Sequence, residues 1–69
     1  MKIAEVMKSA TEEQRNKILN AIVQDGWSLS AAYSFCNGQR KPRRFYQGSL
    51  CLHIKRYTGV THTPAELFG

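Results

Sequence analysis

Start and stop signals for helices alternate along this 69-residue chain so closely that only short helices fit between them. Thr11-Glu12-Glu13-Gln14 has the form of a capping box, in which a threonine hydroxyl accepts from a free backbone N–H and Gln14 reaches back. The two acids also suit the positive end of a helix dipole. Ile18, Leu19, Ile22 and Val23 recur behind it at helical period, and Gly26 ends the pattern as a left-handed cap, which predicts a helix from about Glu12 to Gln24. Ser28 is a good N-cap for the next helix, and Gly38 supplies the positive φ needed to leave it. Pro42 starts a new segment, with Tyr46, Leu50, Cys51, Ile54 and Tyr57 at helical spacing until Gly59. Thr63-Pro64-Ala65-Glu66 is a further start, with Thr as N-cap, Pro at the first helical position and Glu at the third. Leu67 and Phe68 then fold back to dimerise or to cap the core. Ahead of all these, Ile3, Val6 and Met7 at i, i+3, i+4 mark a short amphipathic helix or an ordered arm. Period-two alternation is sustained nowhere, so no sheet is expected. Residues 1–69 read as a single all-α domain, a small bundle of four to five short helices.

A chain of this length buries only about 60% of its unfolded surface, and its core alone supplies ~3–5 kcal/mol of net stability. A deep, dry catalytic cleft is not expected, and dimerisation or partner binding would help the fold. The net charge of +5 favours anionic partners: nucleic acid first, acidic protein second, anionic membrane third. The charge is also segregated. No acidic residue occurs from Gly26 to Ala65, while six Lys or Arg do. Neither Cys36 nor Cys51 belongs to a C-x-x-C, Met1 to Ala10 lacks the apolar run of a secretory signal, and no run approaches the ~18–20 residues of a membrane span. These features predict a reducing, cytoplasmic setting with two thiols, the alternative being a Cys36–Cys51 disulfide.

The segment Gly26-Trp27-Ser28-Leu29-Ser30-Ala31-Ala32-Tyr33-Ser34-Phe35-Cys36-Asn37-Gly38 leads directly into Gln39-Arg40-Lys41-Pro42. Helical spacing puts Leu29, Ala32 and Phe35 (or Cys36) on one face, and Ser30, Ala31, Tyr33, Ser34 and Asn37 on others. Ala32 and Cys36 are small and admit a close approach by the preceding helix. Trp27 packs over the turn, and Phe35, Leu50, Ile54, Ile22 and Leu19 are core by spacing. A short, small-residue helix with a basic exit suits an element laid into a DNA groove and clamped to phosphates.

These residues resemble the helix-turn-helix of phage repressors and Cro proteins, the xenobiotic-response-element (XRE) family. The family's glycine, apolar residue and Ser cap correspond to Gly26, Trp27 and Ser28. Its aromatic, any residue, Asn-Gly, basic cluster and Pro correspond to Phe35, Cys36, Asn37-Gly38, Arg40-Lys41 and Pro42. Gly59-Val60 and Pro64-Ala65-Glu66-Leu67-Phe68 look like its final helix. The resemblance covers roughly residues 26 to 69. The first half departs from it: the family's early Gln and its small packing residue fall on Ile18 and Ile22.

The resemblance implies a repressor-like bundle containing a helix-turn-helix, with the N-terminal turn of the helix over residues 28–37 in the major groove. Ser30, Ala31, Tyr33 and Ser34 would then face base edges: serine donates or accepts, and alanine touches a thymine methyl. Leu29 occupies a position where the family carries a polar base reader, whereas periodicity buries it. Asn37, Arg40, Lys41, Arg43 and Arg44 are phosphate clamps in this reading, joined by Ser28 at the helix start and by Gln39 in a basic loop over 39–44. Otherwise these residues form an exposed helix surface and a solvated loop. Lys55 and Arg56 complement the dipole of their own helix, and Asp25 and Glu66 serve helix ends.

No chemistry of another class is expected. Cys51-x-His53 puts its side chains about 200° apart on a helix, and Cys36, Cys51, His53 and His62 match no standard zinc spacing. There is no Gly-rich phosphate loop, paired carboxylate or acidic metal cluster, so neither an enzyme nor a cofactor protein is expected. The function predicted is a sequence-specific DNA-binding transcriptional regulator, homodimeric on double-stranded DNA. Its alternative is the same fold used as a protein-binding module that docks on an acidic partner.

Overall fold

The computed structural model describes all residues, Met1–Gly69, and consists of five α-helices without a strand. They are α1 (Ile3–Ser9), α2 (Glu12–Gln24), α3 (Leu29–Cys36), α4 (Arg44–Thr58) and α5 (Pro64–Phe68). The chain is all-α. No helix is long and apolar enough to cross a membrane.

The helix starts follow from local chemistry. Gln14 N–H donates to Thr11 Oγ1 at 3.1 Å while Thr11 N–H donates to Gln14 Oε1 at 2.8 Å, a closed capping box on α2. Ala31 N–H donates to Ser28 Oγ at 3.0 Å on α3, and Glu66 N–H donates to Thr63 Oγ1 at 3.2 Å on α5. Gly26 and Gly38, at φ 105° and 76°, turn the chain out of α2 and α3 in a conformation that a Cβ would strain. The Ile3–Met7 pattern is a helix rather than an arm. Its C-terminal carbonyls are closed by Arg15, whose Nη1 donates to Ala10 O at 2.6 Å and to Met7 O at 3.2 Å.

α2 lies at the centre of the bundle, packed on α3 and α4, while α1 covers α3 and α5 closes against α4 and α1. Phe35, Ile18, Ile22, Leu50, Ile54 and Leu67 are fully buried. Leu67 therefore caps the core, and Phe68 packs against it. Ile18 and Ile22, the two departures from the family pattern, both sit in this core. Trp27 packs over the α2–α3 turn, its ring 5.0 Å from Phe35 and 5.2 Å from Tyr46. Both cysteines are free and buried, so the disulfide alternative falls. Burial pushes the Cys36 thiol up to about 12 and raises that of Cys51.

Two expectations on α3 are corrected. Ala31 is 7% exposed and Leu29 is 53% exposed, the reverse of the reading from spacing. The inward stripe is made by the i, i+4 pairs Ala31/Phe35 and Ala32/Cys36, because α3 is packed by both α1 and α2. Leu29 lies in the first turn, at the edge of that stripe, and stays in solvent. Ala31 therefore cannot face a base.

Asp25 ties the end of α2 to α4. Its Oδ2 accepts from the Tyr46 hydroxyl at 2.7 Å and lies 2.6 Å from His53 Nε2. The bonds from His53 and Tyr46 hold the Asp25 carboxyl below the usual carboxylate range. Burial, and next the bond to Asp25, raise the Tyr46 hydroxyl.

α4 contains one residue its own packing does not explain. Gly48 sits inside the helix on the solvent side, and a Cβ there would meet nothing within 4 Å. Glycine in a helix interior costs about 1 kcal/mol relative to alanine.

Candidate functional site

The exit from α3 is tied down by hydrogen bonds at both ends. The N–H groups of Gln39 and Arg40 both donate to the Ser34 carbonyl, at 3.0 and 3.2 Å. At the far end Gln47 Nε2 donates to the Pro42 carbonyl at 2.9 Å. Arg40 lies over the aromatic cluster, its guanidinium carbon 5.2 Å from the Phe35 ring centre and 5.6 Å from that of Trp27. Its charge is thus held at a fixed place beside α3.

Asn37, exposed at the C-cap of α3, is where three shallow hollows meet. One is lined by Lys2, Arg40 and Lys41, another by Lys8 and Arg15, and the third by Glu12, Asn16 and Tyr33. Lys2, Lys8 and Arg15 were not legible as site residues, because the packing of α1 and α2 on α3 that brings them here leaves no local pattern in the sequence. Lys41 also shares a hollow with Arg44, on the side facing α5.

The expected loop over 39–44 ends one residue early, since Arg44 is the first residue of α4 and Arg43 is its N-cap. This changes the electrostatics. α4 has no side-chain cap and no acidic residue in its first turn. Two guanidinium groups instead stand at the positive end of the helix dipole, where cations are unfavourable and an anion is favoured by the free N–H groups. By contrast α2, α3 and α5 are each capped by a hydroxyl. Lys55 and Arg56 lie in the last turn of α4, the favourable end.

The surface of α3 is mixed. Leu29, Ser30 and Tyr33 are exposed, with Tyr33 at 48%, and Ser34 is half-buried. Gln39, Lys41, Arg43 and Arg44 are exposed. Ser28 spends its hydroxyl oxygen on the Ala31 N–H, which leaves its O–H to donate outward. The sequence-predicted cations Arg40 and Lys41 therefore come together with Asn37, Arg43 and Arg44 follow at the start of α4, and Ala31 leaves the set.

Of the carboxylates only Glu12 borders the hollows at Asn37, and the others are engaged elsewhere. Glu5 Oε1 accepts from Lys2 N–H at 3.0 Å, Asp25 engages Tyr46 and His53, and Glu66 caps α5. The Glu66 carboxyl is lowered first by its bond from the Thr63 backbone and then by His62. Among the ten Lys and Arg only Lys17 forms an ion pair, with Glu13 at 3.4 Å. No three His, Cys, Asp or Glu side chains come together as a metal site. No protein-family model, curated protein or solved structure matches the chain.

Proposed function

We propose that this chain is a sequence-specific DNA-binding transcriptional regulator of the repressor or Cro type. α2 and α3 act as its helix-turn-helix, and α3 enters the major groove. The observation that carries the reading is the unpaired basic rim from Asn37 to Arg44, two of whose cations stand at the uncapped N-terminus of α4. Arg40, Lys41, Arg43 and Arg44 hold phosphates, with Asn37, Gln39 and the Ser28 hydroxyl donating to backbone oxygens. Leu29, Ser30, Tyr33 and Ser34 meet base edges. Leu29 offers no hydrogen bond, and its apolar surface suits a thymine methyl. One domain of this size makes few contacts, so two copies read a pseudo-palindrome with half-sites about 34 Å apart. The chain works in the cytoplasm, on nucleoid DNA.

The test is titration of purified protein with random duplex DNA at two salt concentrations, followed by selection from a random-sequence pool. Salt-sensitive binding with an enriched symmetric motif is expected. Salt-sensitive binding without enrichment would make it a non-specific binder, and a folded protein that ignores DNA at low salt would end the proposal.

A further inference from the structure

We propose that the outer face of α4 is a docking site for an acidic amphipathic helix of a partner protein. Phe45 and Leu52 are the two most exposed large apolar side chains of the chain, at 76% and 67%. They stand seven residues apart, within about 20° of one azimuth and about 10.5 Å apart along the axis. This is the anchor spacing of helix-on-helix recognition.

Between them lie Gly48 and Ser49. Gly48 is helical, its φ is ordinary, and open space surrounds the position of its missing Cβ. Nothing inside this chain requires glycine there. A second helix that crosses α4 at Gly48 does, because the absent side chain lets the two backbones approach while Phe45 and Leu52 close on either side. The destabilising glycine and the two exposed anchors are separate observations that meet on one surface.

Charge decides the occupant. α4 carries no carboxylate, and this face is bounded by Arg44 at one end and by Lys55 and Arg56 at the other. A second copy of the chain docked here about a two-fold axis would set the Arg43–Arg44 end of one helix against the Lys55–Arg56 end of the other, cation on cation. A helix with an apolar stripe flanked by glutamate or aspartate satisfies both the anchors and the cations. The DNA surface proposed above shares Arg44 with this face and otherwise lies outside α4.

The probe is a three-heptad synthetic peptide with leucine at the core positions and glutamate elsewhere, beside a control with lysine in place of glutamate. Amide shifts of the labelled full-length chain are followed during titration. Saturable shifts centred on Phe45, Gly48 and Leu52 are expected with the glutamate peptide, and binding of the lysine peptide should be at least about tenfold weaker. The double variant F45S/L52S, altered only at exposed positions, should lose about tenfold or more. Gly48→Ala gives a readout that a structural role would not: it should raise the Tm while weakening the peptide. Equal binding of both peptides, unchanged binding by F45S/L52S, or no binding by the folded chain overturns the proposal. So does a dimer seen by sedimentation that F45S/L52S dissociates, because the occupant would then be a second copy.

Discussion

Replacing Arg43 and Arg44 together by glutamine should make the protein more stable and its DNA complex weaker. Both side chains stand at the N-terminal end of α4, which has neither a hydroxyl cap nor an acid in its first turn. A cation against the helix dipole is unfavourable by about 0.3–1 kcal/mol, with exposed groups at the low end. Removing two should raise the Tm by roughly 3–8 °C, since 1 kcal/mol moves a domain of this size by about 4–8 °C. On DNA the sign is opposite. If Arg40, Lys41, Arg43 and Arg44 each neutralise a phosphate, a dimer releases counterions with a log-log salt slope of roughly −7. The variant keeps half of those contacts and should show a slope of about −3.6. Between about 50 and 200 mM salt the parent should lose affinity by about 10⁴-fold and the variant by about 10²-fold.

Thermal denaturation by circular dichroism and fluorescence anisotropy on one duplex measure the two effects. An unchanged slope would show that these guanidinium groups do not hold phosphates. A lowered Tm would show that the dipole argument misjudges the helix start. General damage to the fold would move stability and affinity in the same direction, so opposite shifts separate the two effects.

Other perturbations test the fold beneath the site. Phe35→Ala removes the largest fully buried side chain, which also supports Trp27 and Arg40; the usual loss of about 3–5 kcal/mol matches the whole stability of a domain this small, so the variant should be unfolded by circular dichroism at room temperature. Asp25 has a folded-state pKa depressed below its ordinary 3.8 by His53 and Tyr46. Its contribution to stability is therefore fully present above about pH 4 and disappears as pH falls through the folded value. Asp25→Asn should lower the Tm at pH 7 and flatten the decline of Tm below pH 4, while an equally steep decline in the variant would exonerate Asp25. Cys36, buried and with its thiol pushed up to about 12, should resist maleimide at pH 7 in the native protein and react promptly in urea, as followed by mass spectrometry.

The helix boundaries were legible because they rest on contacts within four residues. Thr11 with Gln14, Ser28 with Ala31, and Thr63 with Glu66 are each local, and the glycines at 26, 38 and 59 take the positive φ that their place after a helix demands. The core of α4 was legible because its length gives the stripe of Tyr46, Leu50, Cys51 and Ile54 several turns in which to repeat. α3 was harder. Two helices pack on it, so the buried arc is wider than one stripe and is centred elsewhere, and an eight-residue helix gives spacing too few turns to settle the azimuth. Spacing alone places the apolar Leu29 inward and the small Ala31 outward. The opposite holds because the interior admits Ala31 at the close contact, while Leu29 sits beyond it.

The basic surface was legible as a run of charge but not in its composition. A run of cations without acids is a property of the sequence, and so was the expectation of an anionic partner. Which cations share a surface is a property of packing: Lys2, at the N-cap of α1, meets Arg40 and Lys41 beside Asn37. Whether a cation is strained or at ease depends on a boundary of one residue. Read as loop, Arg44 is a solvated charge; read as the first residue of α4, it opposes a dipole, which a bound anion would relieve. The same reasoning separates Arg43 and Arg44 from Lys55 and Arg56, which have the same chemistry at the favourable end of one helix. Charge reversal at Lys55 and Arg56 should therefore lower stability, whereas at Arg43 and Arg44 it should raise it, and only the second pair should alter the salt slope on DNA. That contrast within a single helix would tie the proposed anion to a place rather than to the total charge of the chain.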